Sequence, residues 1–375
     1  MQGAMTSTVL RQNNRRRIYR YIYDSTEPVT KQDVARELEL SMPTVTSNLS
    51  DLMSEGMLSY AGTLASTGGR KPRVISLIPD ARFSVGLSIM DNVIRLTAVD
   101  LKAGELAYKK IIMKFHHDEA YYAGISEELE LFLDENKLDR TRMLGLGITV
   151  PGIVDRDQGM LMFAPTLGLR NIPLQRLGSF FAYPVFFEND ANASGYAESW
   201  VRKGSGNLIY LSVERGVGGA LFLNNTRYAG DNGRSGEFGH ICIVPNGRKC
   251  RCGKRGCLEA YCSTSRLSDD LGISLEDFFQ MLDKGNDQIA LTWQHYRRYL
   301  TDGLAMIRTA LDCDIVLGGM LAAYLEGEMP EIRREVCEKT LFDQEGAFIS
   351  LDYFKSNGVC VGAALHFVEQ FLNSF

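Results

Sequence analysis

The chain has 375 residues, enough for two or three domains at about 150 residues each. Its 45% hydrophobic and 23% charged residues are the proportions of a folded protein, and no run of eighteen apolar residues marks a membrane span. The net charge of −5 argues against nucleic-acid binding by the chain as a whole. Residues 1–79, however, hold ten Lys/Arg against seven acids, which leaves the remainder at −8. A mildly basic head on an acidic body can touch a polyanion with one end only. No apolar stretch follows Arg15, Arg16 and Arg17, so no secretory signal is expected and the expected location is the cytoplasm.

The first elements read as short helices. Ile18, Tyr21 and Ile22 make one apolar stripe, with Arg15–Arg17 expected ahead of it as phosphate contacts. Val34, Ala35 and Leu38 make a second stripe, capped by Thr30 with Asp33 three residues on. Ser41 caps a third helix with Pro43 in its first turn, Val45, Leu49, Leu52 and Met53 on its buried face, and Gly56 at its end. Strands at Met57–Tyr60 and Arg73–Ile78 follow, separated by a turn of Gly, Ser and Thr. Helix, helix, tight turn, helix and β-ribbon is the pattern of a winged helix-turn-helix. Thr44, Thr46, Ser47, Asn48 and Ser50 lie off the buried stripe, where short polar groups suit base edges and phosphates; plain solvent surface would look the same. The basic tip Thr67-Gly-Gly-Arg70-Lys71-Pro72 suits a minor groove or phosphates. Operator DNA is the expected partner, read by a dimer on two half-sites.

Pro79 and Asp80 divide a head of residues 1–80 from a body of residues 81–375. The body runs strand (Val85–Ile89), strand (Val93–Val99), strand (Leu106–Lys114), a helix striped by Tyr121, Ile125, Leu129 and Phe132, and strand (Met143–Val150). The theme returns with Leu208–Val213, Gly219–Leu223 and His240–Val244, a long helix striped by Trp293, Tyr296, Leu300, Leu304, Ile307 and Leu311, and the strand Ile315–Leu317. A repeated order of this kind predicts two α/β lobes across a cleft that binds a small molecule.

Three of eight cysteines fall within eight residues, Cys250-Arg-Cys252-Gly-Lys-Arg-Gly-Cys257, ten residues after His240. Such a loop can clasp zinc tetrahedrally, and Arg251, Lys254 and Arg255 favour thiolate over thiol. A disulfide is the competing reading, but three cysteines leave one unpaired and nothing marks an oxidising compartment. Four protein ligands make a closed, structural site that shapes Gly236–Glu259. Cys242, Cys262, Cys313, Cys337 and Cys360 are expected as small buried apolar residues.

These residues resemble the signature of the ROK family of repressors, open reading frames and sugar kinases. The signature is Gly236-Glu237-Phe238-Gly239-His240 followed by Cys250-x-Cys252-Gly253-x-x-Gly256-Cys257-x-Glu259. Gly145-x-Gly-x-x-x-Pro151-Gly152-x-x-Asp155, Glu188-Asn189-Asp190-Ala191-Asn192-Ala193 and Ile315-x-x-Gly318-Gly319 match further elements in the family's order. The resemblance implies a two-lobed, actin-like (ribonuclease-H-like) fold with a sugar or sugar phosphate in the cleft. It implies that Asn189, Asp190, Glu237, His240 and Glu259 contact sugar hydroxyls, with Gly152 and Thr166 as lesser contacts. His240 would join Cys250, Cys252 and Cys257 on zinc through its other ring nitrogen.

In the family's kinases the residue matching Asp190 is the general base. Those kinases also carry Asp-x-Gly-Gly-Thr-Lys in the first hairpin, where this chain reads Ser88-Ile89-Met90-Asp91-Asn92-Val93. Asp91 sets a negative charge toward a polyphosphate, and the second loop, Glu214-Arg215-Gly216-Val217-Gly218-Gly219, has Glu214 where a small or hydroxyl residue is usual. The expected function is therefore a sugar-responsive transcriptional repressor and not an enzyme. An ATP-dependent sugar kinase with an accessory head is the alternative, and relief of repression by a partner protein is a third reading.

Overall fold

The computed structural model describes residues 7–63, 72–202 and 206–374. Its first helix, Ser7–Asp24, buries Ile18, Tyr19, Ile22 and Tyr23 and leaves Tyr21 half-buried. Thr30 and Asp33 form a reciprocal capping box on Lys31–Glu37, and Ser41 accepts the Thr44 N–H to start Met42–Ser54. The ribbon pairs Leu58–Thr63 with Arg73–Leu77, and Val29 adds a bridge to Ile75. Arg15–Arg17 lie inside the first helix rather than ahead of it. Arg15 pairs with Glu55 and Arg17 donates to the Leu38 carbonyl at 2.9 Å, so these two arginines tie the head together. The ribbon tip with Arg70 and Lys71 lies outside the described residues.

The body contains two five-stranded sheets of one strand order. In the first, Phe83–Ile89, Val93–Asp100 and Glu105–Ile112 run antiparallel, and Met143–Val150 then Val185–Asn189 extend the other side in parallel. In the second, Leu208–Val213, Val217–Leu223 and Thr226–Arg227 run antiparallel, and Asp314–Gly318 then Ile349–Leu351 extend the other side in parallel. The third strand of the second sheet is thus the two-residue Thr226–Arg227, not His240–Val244. His240 ends a single helical turn, Phe238–His240, and the following segment folds back through bridges Cys242–Cys257 and Lys249–Arg255. An extended strand would carry the Cys/His side chains apart, whereas the fold-back gathers them. A three-stranded sheet (Ile153–Asp155, Met160–Ala164, Leu169–Pro173) stands beside the first five-stranded one.

Two helices join these parts. The cleft helix, Asp190–Val201, starts at the end of strand Val185–Asn189 and packs on the second sheet, where a Cβ at Gly195 would stand 3.0 Å or less from Tyr210, Ala220 and Phe222. The C-terminal helix, Gly358–Ser374, packs on the first sheet and on the cleft helix, backbone against backbone. A Cβ at Gly362 would stand 1.7 Å from the Ala193 carbonyl oxygen, at Gly86 1.9 Å from that of Cys360, and at Gly147 2.2 Å from that of Ala363. Its Val361, Ala364, Leu365, Val368 and Leu372 share one core with Ile18, Tyr19, Val45, Leu49 and Leu52 of the head. No helix among the described residues is long and apolar enough to cross a membrane.

Gly362→Val puts a branched side chain into a backbone contact that cannot recede. We expect it to cost about 3 kcal/mol or more, read as a lowered urea midpoint. An unchanged midpoint would contradict the packing described.

Candidate functional site

Where strand Val185–Asn189 meets the cleft helix, Asn189 does two jobs. Its Oδ1 accepts the Asn192 N–H at 3.0 Å and caps the helix, while its Nδ2 donates to the Gly152 carbonyl at 2.8 Å. Gly152 holds a φ of +136°, and a Cβ there would meet the Phe163 carbonyl oxygen at 2.2 Å, so glycine is required. The Asn189–Gly152 bond thereby fixes the Pro151-Gly152 bend beside Asp190. Asp190 opens the cleft helix, and its Oδ1 accepts the Ala191 N–H at 2.8 Å. Burial pushes its carboxyl up to about 6 against that bond, and the charge of Glu237 adds to the rise.

The turn between the first two strands of the second sheet brings Glu214 to face Asp190. Burial pushes Glu214 up to about 7, the charges of Asp190 and Asp352 reinforcing it while Arg95 and a bond from the Met320 N–H oppose it. Burial and Glu198 likewise push Asp352 up to about 7. Carboxylates from both halves of the body therefore converge here. Sequence reasoning flagged Glu214 but missed Asp352 and Arg95. Arg95 stands opposite Ser88 in the strand register, a pairing that only the fold reveals.

Across from Asp190 lies the Gly236–His240 segment. It presses on the second sheet so closely that a Cβ at Gly239 would sit 1.9 Å from the Val217 carbonyl oxygen. His240 is thereby held with its two nitrogens facing different ways: Nε2 is 3.8 Å from Glu237 Oε2, and Nδ1 is 3.8 Å from Cys250 Sγ. Cys252 and Cys257 sulfurs are also 3.8 Å apart, and the four donor atoms all lie within 4.8 Å of one another. A tetrahedral metal with bonds of about 2.3 Å to sulfur needs sulfurs about 3.8 Å apart, so the donor set can hold such an ion. Glu259 links this cluster to the Glu214 turn, with Oε1 3.4 Å from Cys250 Sγ and Oε2 accepting the Val217 N–H at 3.1 Å.

Cys242, expected to be buried, is exposed, and Cys337 is half-buried. Cys242 bridges to Cys257 through its backbone, and its sulfur stands 3.7 Å from the Arg255 carbonyl oxygen. Cys262, Cys313 and Cys360 are buried. Thr166 is exposed in the turn between Met160–Ala164 and Leu169–Pro173.

On the third helix of the head, Thr46, Ser47 and Ser50 are exposed and line a shallow groove with Met42, Pro43 and Asp51. Asn48 is not part of this face. It is 3% exposed, and its Nδ2 donates to the Thr44 carbonyl at 2.8 Å. Four positions after Thr44, its amide reaches back over the preceding turn, so Asn48 serves the helix rather than a partner. Thr44 is half-buried, its hydroxyl 2.8 Å from that of Ser41.

The model of the ROK family matches residues 85–367, and the chain belongs to that family. It is 30% identical over 303 residues to the xylose repressor of Bacillus subtilis, covering 77% of each protein. Its fold is similar to that of a ROK family transcriptional regulator homologous to the Escherichia coli MLC protein, with a TM-score of 0.76, 23% identity and 97% of each chain covered. A ROK hexokinase from Thermus thermophilus gives a TM-score of 0.64 at 26% identity, covering 78% of this chain and 99% of the hexokinase. The body is a two-lobed, actin-like (ribonuclease-H-like) fold, preceded by three helices and a two-stranded ribbon.

Asp190, Glu214 and Asp352 hold protons in the fold that they release in the unfolded chain above about pH 4. Their unfavourable effect on stability is therefore absent below about pH 4, grows between about pH 4 and the folded values of 6 to 7, and levels off above them. We expect the melting temperature to fall between about pH 4 and pH 7, and Glu214→Gln to flatten that fall. A steeper fall in the variant would contradict the assignment.

Proposed function

We propose that this ROK-family chain is a sugar-responsive transcriptional repressor whose head binds operator DNA as a dimer and is released by a sugar or sugar phosphate in the body. The observation that carries the reading is the extent of the structural likeness. The regulator fold accounts for 97% of this chain, head included, whereas the hexokinase fold is used up on 78% of it. The named repressor relative points the same way, and its name makes D-xylose the first sugar to try.

In this reading Asn189, Asp190, Glu237, His240 and Glu259 grip hydroxyls, with Gly152 holding the bend beneath them. Carboxylates accept from paired hydroxyls, and an imidazole fixed on one side presents a defined tautomer on the other. The Cys250, Cys252, Cys257 and His240 set is read as a zinc site. A zinc ion closed off by four protein ligands supplies structure rather than catalysis, and holds the Gly236–Glu259 segment against the second sheet. Phosphoryl transfer is disfavoured by Glu214. Its carboxyl group takes the Met320 N–H beside the Gly318-Gly319 turn and so occupies a donor that a polyphosphate would need. On the head, Thr46, Ser47 and Ser50 offer groove contacts, with Arg70 and Lys71 proposed for the ribbon tip.

Two outcomes test the reading. Asp190→Asn should weaken sugar-induced release from operator DNA at least about tenfold, roughly the loss of one charge-assisted hydrogen bond, and leave operator affinity in the absence of sugar unchanged. Equal loss of both would refute the division of labour. Metal analysis should find one zinc per chain, and Cys250→Ser should lower both the zinc content and the melting temperature. A zinc-free, equally stable variant would refute the structural zinc.

A further inference from the structure

The cleft helix touches three parts of the molecule with three different sets of side chains. At its first turn stands Asp190, which feels the charge of Glu237 and acts on that of Glu214. In its last two turns Glu198, 1% exposed, accepts the backbone N–H groups of Tyr353 and Phe354 through Oε1 and pairs with Arg202 through Oε2. Arg202 donates to the Leu351 carbonyl at 3.0 Å. Together the two side chains hold the segment that leaves the second sheet for the C-terminal helix. On another face, Ala197 and Trp200 enter the core of the head, where Trp200 hydrogen-bonds the Tyr23 phenol. Tyr23 in turn donates to the Leu101 carbonyl at 2.6 Å, and the Lys102 ammonium lies 4.0 Å from its ring centroid.

We propose that the cleft helix is the element that carries the state of the sugar site to the DNA-binding head, with Trp200 as its contact on Tyr23. This rests on the reading of the cleft as an effector site. About 15 Å separate Asp190 from Trp200 at 1.5 Å per residue, too far for a direct contact with a bound sugar. The helix spans that distance without slack. On one side Gly195 admits Tyr210, Ala220 and Phe222, and on the other Gly362 admits the Ala193 backbone. A helix packed this closely on two sides moves as a body or not at all, so a shift at its first turn arrives at its last. The head has no comparable contact with the second sheet among the described residues, since its core is completed by the cleft helix, the C-terminal helix and residues 99–103.

The test has one arm without ligand and one with. In the ligand-free protein, hydrogen exchange of Asp190→Asn is compared with wild type. The proposal expects altered protection at residues 18–23 of the head as well as at the cleft, and an altered cleft with an unaltered head would overturn it. In the second arm, D-xylose, N-acetylglucosamine (named for a repressor relative 26% identical over 264 residues) and, for the sugar-phosphate reading, its 6-phosphate are titrated by calorimetry and by release of operator DNA. Trp200→Phe should bind operator and sugar as wild type does but require at least tenfold more sugar for release, and Tyr23→Phe, which keeps the ring, should do the same. Wild-type release in both variants would overturn the proposal. If none of the three sugars binds, the effector reading of the cleft fails for them, and the exchange arm still decides the coupling.

Discussion

The packing of the C-terminal helix against three glycines is the constraint on which the rest of the molecule depends. Gly86 and Gly147 let it lie directly on the first sheet, and Gly362 lets it lie directly on the cleft helix. Side chains at those positions would hold the elements apart by the thickness of a residue. The cost would not be confined to one interface, because the same helix closes the head's core through Val361, Ala364, Leu365, Val368 and Leu372. Contacts without intervening side chains leave no rotamers to absorb a displacement, so a shift of the cleft helix or of the C-terminal helix passes to the elements packed on it.

Against that frame the second sheet meets the first through charge. Asp190 comes from one half and Glu214, Glu237 and Asp352 from the other, and burial lifts the carboxyl group of each above its ordinary range. Like charges brought together without water are tolerated only when protonated, when given donors, or when a ligand supplies hydroxyls. The arrangement is therefore unfavourable when empty and ionised, and a polyol would relieve it.

Much of this was legible in the sequence, and the failures have physical causes. The caps Thr30 and Ser41 and the duplicated strand order follow from local chemistry and periodicity, which the fold preserves. The strand expected at His240–Val244 failed because alternating apolar residues there serve a fold-back dictated by side chains ten and more residues away. Asn48 was misread for a related reason. Its spacing put it off the apolar stripe, but its amide folds back onto its own helix, and polarity alone does not report that. Asn189, Asp190, Glu237, His240 and Glu259 were legible only as members of motifs. That Asn189 spends its side chain on a cap and on Gly152, and Glu259 part of its own on Val217, required coordinates.

The shared core also has a consequence for how the protein is made. The head is synthesised first, yet the helix that completes its hydrophobic core begins roughly 280 residues after it, on the order of 15–55 s at ordinary translation rates. During that interval Ile18, Tyr19, Leu49 and Leu52 lack part of their native cover. The head reaches its final form only when the body has been built around the same helix. The cores of head and body are thus completed together, and a ribosome that stops early leaves a head with an exposed apolar face, open to proteolysis.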